Sequence, residues 1–244
     1  MRVAELWRYP VKSLQGERLE SAPLSADGVK GDRVYAIYDL DTGLGLTARR
    51  VPELLFASAS ILEGDRLQIT LPDGSVAADD DSLSAWLGRP VALRSAQADT
   101  ERRFENPVDF EHDEPTSAWA PFEGSDGAFH DSARVRVSLV SKATIGEWDR
   151  RRFRSNVLLD GEGEDALVGR SVTVGAALLD VGTRIERCVM TTRAQPGGLE
   201  RDIDVMRTIA RERNACLAVG ALVSRPGTVR VGDSVTIPVD LPRR

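Results

Sequence analysis

Along the first hundred or so positions, hydrophobic residues fall in short runs broken by turn chemistry. Gly31-Asp32 precedes Val34-Tyr35-Ala36-Ile37-Tyr38, and Asp41-Thr42-Gly43 turns the chain into residues 44–49. A second hairpin is expected from residues 54–62 and 67–71, joined at Glu63-Gly64-Asp65 and followed by a turn at Pro72-Asp73-Gly74. Strands this closely spaced, without long helices between them, predict a small barrel or rolled sheet. Ser82 is placed to cap a short helix over 83–87, ahead of a strand at Val91-Ala92-Leu93.

From Gln97 to Ser132 the alternation lapses into a polar stretch containing Pro and Gly, read as a loop between two modules, with an active-site lid as the alternative. Regular structure returns in the alternating residues 134–140. A helix is expected through Ile145 and Trp148, then strands over 156–159, around Val172-Thr173-Val174 and Leu178-Leu179, and on into Cys188. The clearest amphipathic helix spans 202–213, with Ile203, Met206, Ile209 and Ala210 on one face. Two or three strands close the chain. The expected fold is a β-rich α+β arrangement: a small barrel over 1–96, a connection over 97–132, and a second β-rich module with a few helices over 133–244.

With 41% hydrophobic residues, the chain has material for a core, and its formal charge of −6 argues against nucleic acid or an anionic membrane as a general partner. Two cysteines and two histidines supply neither a zinc-ribbon set nor a four-cysteine iron–sulfur run. The N-terminal MRVAELWRYPVKSL has no signal-peptide core and no apolar run reaches membrane-spanning length, so a cytoplasmic location is expected. A reducing compartment would leave Cys188 and Cys216 as separate thiols.

Three places could carry chemistry. Lys12, in Tyr9-Pro10-Val11-Lys12-Ser13, is one of only three lysines and lies just past the first strand. Arg154 and Asn156 close a basic run, residues 149–156; such runs are usually solvated, but a strand beginning at Phe153 would point both into one anion-binding cleft. Cys188 sits among Arg184, Arg187, Arg193, Thr191 and Thr192, where positive charge and donors favour thiolate, the form that attacks or binds a soft metal; a buried inert cysteine is the competing reading. Cys216, flanked by apolar residues, reads as core packing. The Asp79-Asp80-Asp81 run, His112 and His130 read as solvated surface rather than a metal site.

Taken in order, YPVKS, GDR, LTAR, FRSN, RCVMTT and PGTVRVGDSV resemble proteins in which an N-terminal MOSC-type β-barrel precedes a MOSC domain. That family includes amidoxime-reducing proteins that bind the molybdenum cofactor (molybdopterin), and MOSC domains also end the sulfurases that complete this cofactor. The resemblance implies Cys188 as molybdenum ligand and catalytic sulfur. It implies Lys12, Arg33, Arg154 and Asn156 around the pterin and its phosphate, with Ser141, Arg187 and Thr191 as further contacts. Ile185, Ser155 and Arg193-Ala194-Gln195 depart from the amidoxime-reducing pattern, which bears on substrate rather than on cofactor. The implied activity is reduction of N-hydroxylated or related oxygenated small molecules, with electrons from an external flavin or iron–sulfur reductase. A cofactor carrier or sulfur-relay protein is the alternative. Pyridoxal phosphate on Lys12 is disfavoured, because the aminotransferase-like module of the sulfurases does not fit in this length.

Overall fold

The computed structural model describes residues 1–98, 102–108 and 118–238. Its backbone is an eight-stranded sheet in the order Val235–Thr236, Arg170–Val174, Ala177–Glu186, Cys216–Arg225, Val137–Ser141, Val157–Asp160, Arg2–Arg8, Glu17–Leu19. All neighbours are antiparallel except Val137–Ser141 with Val157–Asp160. One face buries Val3, Leu6, Leu139, Leu159, Val172, Leu179 and Val219. On the other, Val140 and Leu158 pack with Phe153, Val205 and Ile209. Val137–Ser141 is therefore covered on both sides, and all five of its residues are buried rather than alternating.

The remaining strands make small sheets beside this one. Tyr35–Asp39 pairs with Val91–Ser95, Ser58–Leu62 with Arg66–Thr70, and Ser21–Ser25 lies between Gly227–Arg230 and Gly28–Val29. Val11, Leu14, Ile37, Leu54, Leu55, Ile69 and Leu83 form the shared core of the first two pairs, whereas Ala22, Leu24, Val29 and Val229 of the third sheet join the core of the large one. The β-rich class with a rolled N-terminal part and few helices is thus as expected.

Several local expectations are corrected. Residues 44–49 form no strand, because the Ala48 N–H donates to the Ser13 hydroxyl at 3.0 Å and the chain turns at once, with Arg50 and Val51 N–H donating to the Thr47 carbonyl. Pro52 opens a 3-10 turn over Pro52–Phe56, and adjacent Leu54 and Leu55 are both buried, which alternation along a strand could not achieve. The helix Asp80–Leu87 is capped by Asp79, whose carboxylate accepts from the Ser82 N–H at 2.9 Å, rather than by Ser82. The second amphipathic helix is Asp204–Arg213; it buries Val205 and Ile209 and leaves Ala210 exposed.

The stretch read as a loop carries a hairpin, Arg103–Pro107 with Trp119–Glu123. Phe104 and Phe129 from it pack with Tyr38, and Phe104 lies so close to Gly45 that a β-carbon there would sit 2.1 Å from its ring. Paired aromatics rather than sustained periodicity hold this segment. His112 lies outside the described residues. Among the described residues, no helix is long and apolar enough to cross a membrane.

Candidate functional site

A cavity of about 410 Å³ opens between the small sheets and the large one. Lys12, Ser13, Arg33, Thr47 and Arg49 line it from the first half of the chain; Arg134, Ser138, Arg154, Asn156, Arg187 and Cys188 are among those lining it from the second. His130 and Asp131 lie on the wall as well. Positive charge is concentrated here in a chain that is acidic overall.

Backbone geometry aims these side chains. Ser13, Arg33 and Arg154 have φ of 71°, 53° and 49°, the left-handed region that costs any residue with a β-carbon. The extended strand expected at Phe153 is therefore absent: Val157–Asp160 begins later, and a 3-10 turn over Arg150–Arg152 precedes it. Arg154 enters the cavity from a left-handed kink, not through strand alternation. Asn156 lines the cavity too, but its amide is committed, accepting from the Ser138 N–H at 3.2 Å and hydroxyl at 3.0 Å and donating to the Trp7 carbonyl at 3.3 Å.

Asp131 organises the cations. Its half-exposed carboxylate accepts from Lys12 and from Arg49, both buried behind it. Burial and then these two cations act on it in opposite senses, and the cations prevail, holding its carboxyl well below the usual range. For Lys12 burial wins over Asp131 and the ammonium pKa falls. For Arg49 burial is outweighed by Asp131 and by the Cys188 sulfur, and the guanidinium stays charged. Arg154 is pushed down to about 10 by burial and by Arg33, still cationic at neutral pH.

Cys188 is half-buried and borders the cavity just before the turn Val189–Thr192. Its carbonyl accepts from the Thr191 N–H and hydroxyl, each at 3.0 Å. Arg187 is fixed by donating to the Phe153 carbonyl at 2.6 Å. The turn itself hangs on Arg152, which donates to the carbonyls of Thr191 and Arg193 at 3.1 Å and of Glu200 at 2.8 Å.

Lys12, Arg33, Arg154, Asn156, Arg187 and Cys188 are thus brought together. Ser141 is not: it is fully buried and caps the short helix Lys142–Ile145, accepting from the Thr144 N–H at 3.1 Å. Thr191 is fully buried too, and its hydroxyl serves the backbone at Cys188 instead of the cavity. Cys216, expected in the core, is half-buried at the start of its strand.

Among the wall residues to which sequence reasoning gave no role, three carry charge or titrate deep in the site. Arg49 lies in the LTAR motif, but its role depends on the turn at Thr47. Asp131 and His130 lie in the polar stretch, where no pattern marked them. Far from being solvated, His130 is 5% exposed, and burial followed by the Arg33 charge pushes its pKa down to about 3. A native state that keeps this imidazole neutral binds fewer protons than the unfolded chain, whose histidine titrates near 6.5. Stability therefore rises with pH between about 3 and about 6.5. On going from pH 7 to pH 5, His130 should remove about 2 kcal/mol of unfolding free energy. Urea unfolding at both pH values should show a smaller loss in His130→Gln than in the wild type, and equal losses would refute the assignment.

The donor set tests what could bind. Among the described residues, no group of three or more His, Cys, Asp or Glu side chains could hold a metal ion. A metal here would arrive with its own ligands, and Cys188 would add one sulfur. Thr47 Oγ1, His130 Nε2 and Arg187 Nε are buried polar atoms on this wall that lack a hydrogen-bond partner among the described residues. An anionic, polar organic group carrying a soft metal fits such a wall.

Residues 1–101 match the family described as the MOSC N-terminal beta barrel domain, and residues 125–236 match the MOSC domain. A molybdenum cofactor sulfurase from Drosophila grimshawi is 27% identical over 97% of this chain and 34% of its own length. Another protein of that name, from Drosophila willistoni, is 26% identical over 92% of this chain and 31% of its own. The chain spans about a third of the length of these relatives. The YUAD protein from Bacillus subtilis aligns with a TM-score of 0.43 at 12% identity, covering 96% of this chain and 93% of that one.

Proposed function

Because the chain belongs to the MOSC family, with a MOSC N-terminal beta barrel domain leading into a MOSC domain, we propose that it binds the molybdenum cofactor and serves as a small-molecule oxidoreductase. The observation that carries this reading is a single sulfur, Cys188, bordering a cavity whose cations come from both parts of the chain. When bound, the cofactor supplies two-electron redox chemistry at molybdenum.

In this reading Lys12, Arg33 and Arg154 hold the phosphate, for which guanidinium and ammonium donors are suited. Cys188 offers the metal a soft ligand, and Arg187 lies beside it on the wall. Asp131 keeps Lys12 and Arg49 in place, so the cofactor meets cations that are already oriented. Asn156 holds the wall together through Ser138 and Trp7. Neutral His130 presents an uncharged polar group. Substrates would be N-hydroxylated or otherwise oxygenated small molecules. The sequence has neither four cysteines for a cluster nor a Cys-x-x-Cys-His run for a c-type haem, so in this reading a separate flavin or iron–sulfur reductase would bring electrons.

The test is molybdenum and pterin content of freshly purified protein, followed by reduction of a model amidoxime with chemically reduced viologen. Stoichiometric cofactor with turnover is the expected result. Cofactor without turnover favours a carrier or a sulfur-relay protein with a persulfide on Cys188, a reading supported by the name of the curated relatives. Protein that neither retains nor takes up the cofactor overturns both.

A further inference from the structure

Two of the cavity's cations, Arg33 and Arg154, come from opposite parts of the sequence, carry like charge and stand on strained backbone. Some feature must hold them together. Both guanidiniums lie over the ring of Tyr9, with centroid distances of 5.3 Å for Arg33 and 4.4 Å for Arg154. Their other contacts do not join side chain to side chain: Arg33 reaches the Arg154 carbonyl at 3.3 Å and the Asp32 carboxylate, and Arg154 reaches the Leu14 carbonyl. We infer that the Tyr9 ring is a positioning platform that fastens Arg33 and Arg154 into one clamp for a phosphate-type anion.

The ring is well suited to this. Tyr9 is 1% exposed, and Gly16 lies so close that a β-carbon there would come within 2.6 Å of its Cδ1. Its N–H donates to Asp32 Oδ1 at 2.7 Å, and its carbonyl accepts from the Arg33 N–H at 2.7 Å, so backbone and ring bear on the same arginine. The face of an aromatic ring is negative, which offsets part of the repulsion between two guanidiniums in a place of low dielectric. The hydroxyl reaches the Ser155 carbonyl only at 3.4 Å and otherwise bears on the Arg150 guanidinium, which is not part of the clamp.

The inference rests on the reading of the cavity as an anion site, so the experiment separates the two. Inorganic pyrophosphate is titrated calorimetrically into the full chain, into Tyr9→Phe and Arg154→Ala, and into proteins with phenylalanine bearing one, two or three ring fluorines at position 9. Fluorine drains the negative face while nearly preserving shape, so folding is not at stake. Tyr9→Phe should bind within about twofold of the wild type, and affinity should fall stepwise to about tenfold weaker with three fluorines. A flat fluorine series overturns the platform, as does a tenfold loss in Tyr9→Phe. If Arg154→Ala abolishes binding while the series stays flat, the anion site survives without the platform. Undiminished binding by Arg154→Ala overturns both.

Discussion

Cys188→Ser is expected to fold as the wild type does, to lose more than about 100-fold in cofactor retention and turnover, and to keep its affinity for pyrophosphate. Serine replaces sulfur with oxygen at a half-buried position bordering the cavity, so packing changes little. Oxygen is a harder and, as a hydroxyl, a far less acidic ligand than a thiol, which disfavours a soft metal. Indirect partners of metal ligands already cost roughly 10–100-fold when removed, and a direct ligand should exceed that. Pyrophosphate affinity should persist because Lys12, Arg33 and Arg154 are untouched. Molybdenum analysis, viologen-driven amidoxime reduction and calorimetry on one preparation give the three readings. Wild-type metal content and rate in the variant would remove Cys188 from the site.

Arg152→Met should destabilise the fold by about 3–5 kcal/mol, because three main-chain carbonyls lose a charged donor at about 1–3 kcal/mol each. Arg152 is 4% exposed, and its guanidinium serves three main-chain carbonyls, those of Thr191, Arg193 and Glu200. Methionine fills a similar volume but donates nothing, so the three carbonyls lose this donor, those of Thr191 and Arg193 at buried residues. Thr191 belongs to the turn that follows Cys188 and Arg193 ends it, so metal content should fall as well. Arg207 provides the contrast: it is exposed, pairs with Asp204 among the described residues, and its replacement by alanine should stay within about 0.5 kcal/mol. Equal midpoints for Arg152→Met and the wild type in urea would dismiss the role.

The same arginine shows where sequence reading stops. Arg150, Arg151 and Arg152 are consecutive and chemically identical, yet Arg150 stacks 3.2 Å from the Trp7 ring centroid, Arg151 pairs with Asp149, and Arg152 is buried against carbonyls. No local pattern separates them, because Arg151 turns back on its neighbour Asp149 while the partners of Arg150 and Arg152 come from a distant strand and turn. Cys188, Lys12, Arg33 and Arg154 were legible because they stand in motifs whose order is itself distinctive. Arg154 was found by an argument from strand parity that its left-handed backbone does not obey. Ser141 and Thr191 show the converse: hydroxyls close to a motif served a helix cap and a turn carbonyl, the ordinary fate of such groups. Asp131 and His130 were illegible because aromatic packing at Phe104 and Phe129, not periodicity, fixes their segment.

The pairing of Arg2–Arg8 with Val157–Asp160, in which Val3 faces Leu159, also has a temporal side. A ribosome delivers the first of these strands long before the second exists, so that strand must wait with an open edge while its partner is synthesised. Pairings this remote in sequence slow folding, since chain must be looped before any contact repays the loss of freedom. Lys12 and Arg33 emerge early and Arg154 and Cys188 late. The cavity therefore cannot take its ligand until the segment through Cys188 has been released, which favours delivery to a site with both walls folded over capture by the first wall alone.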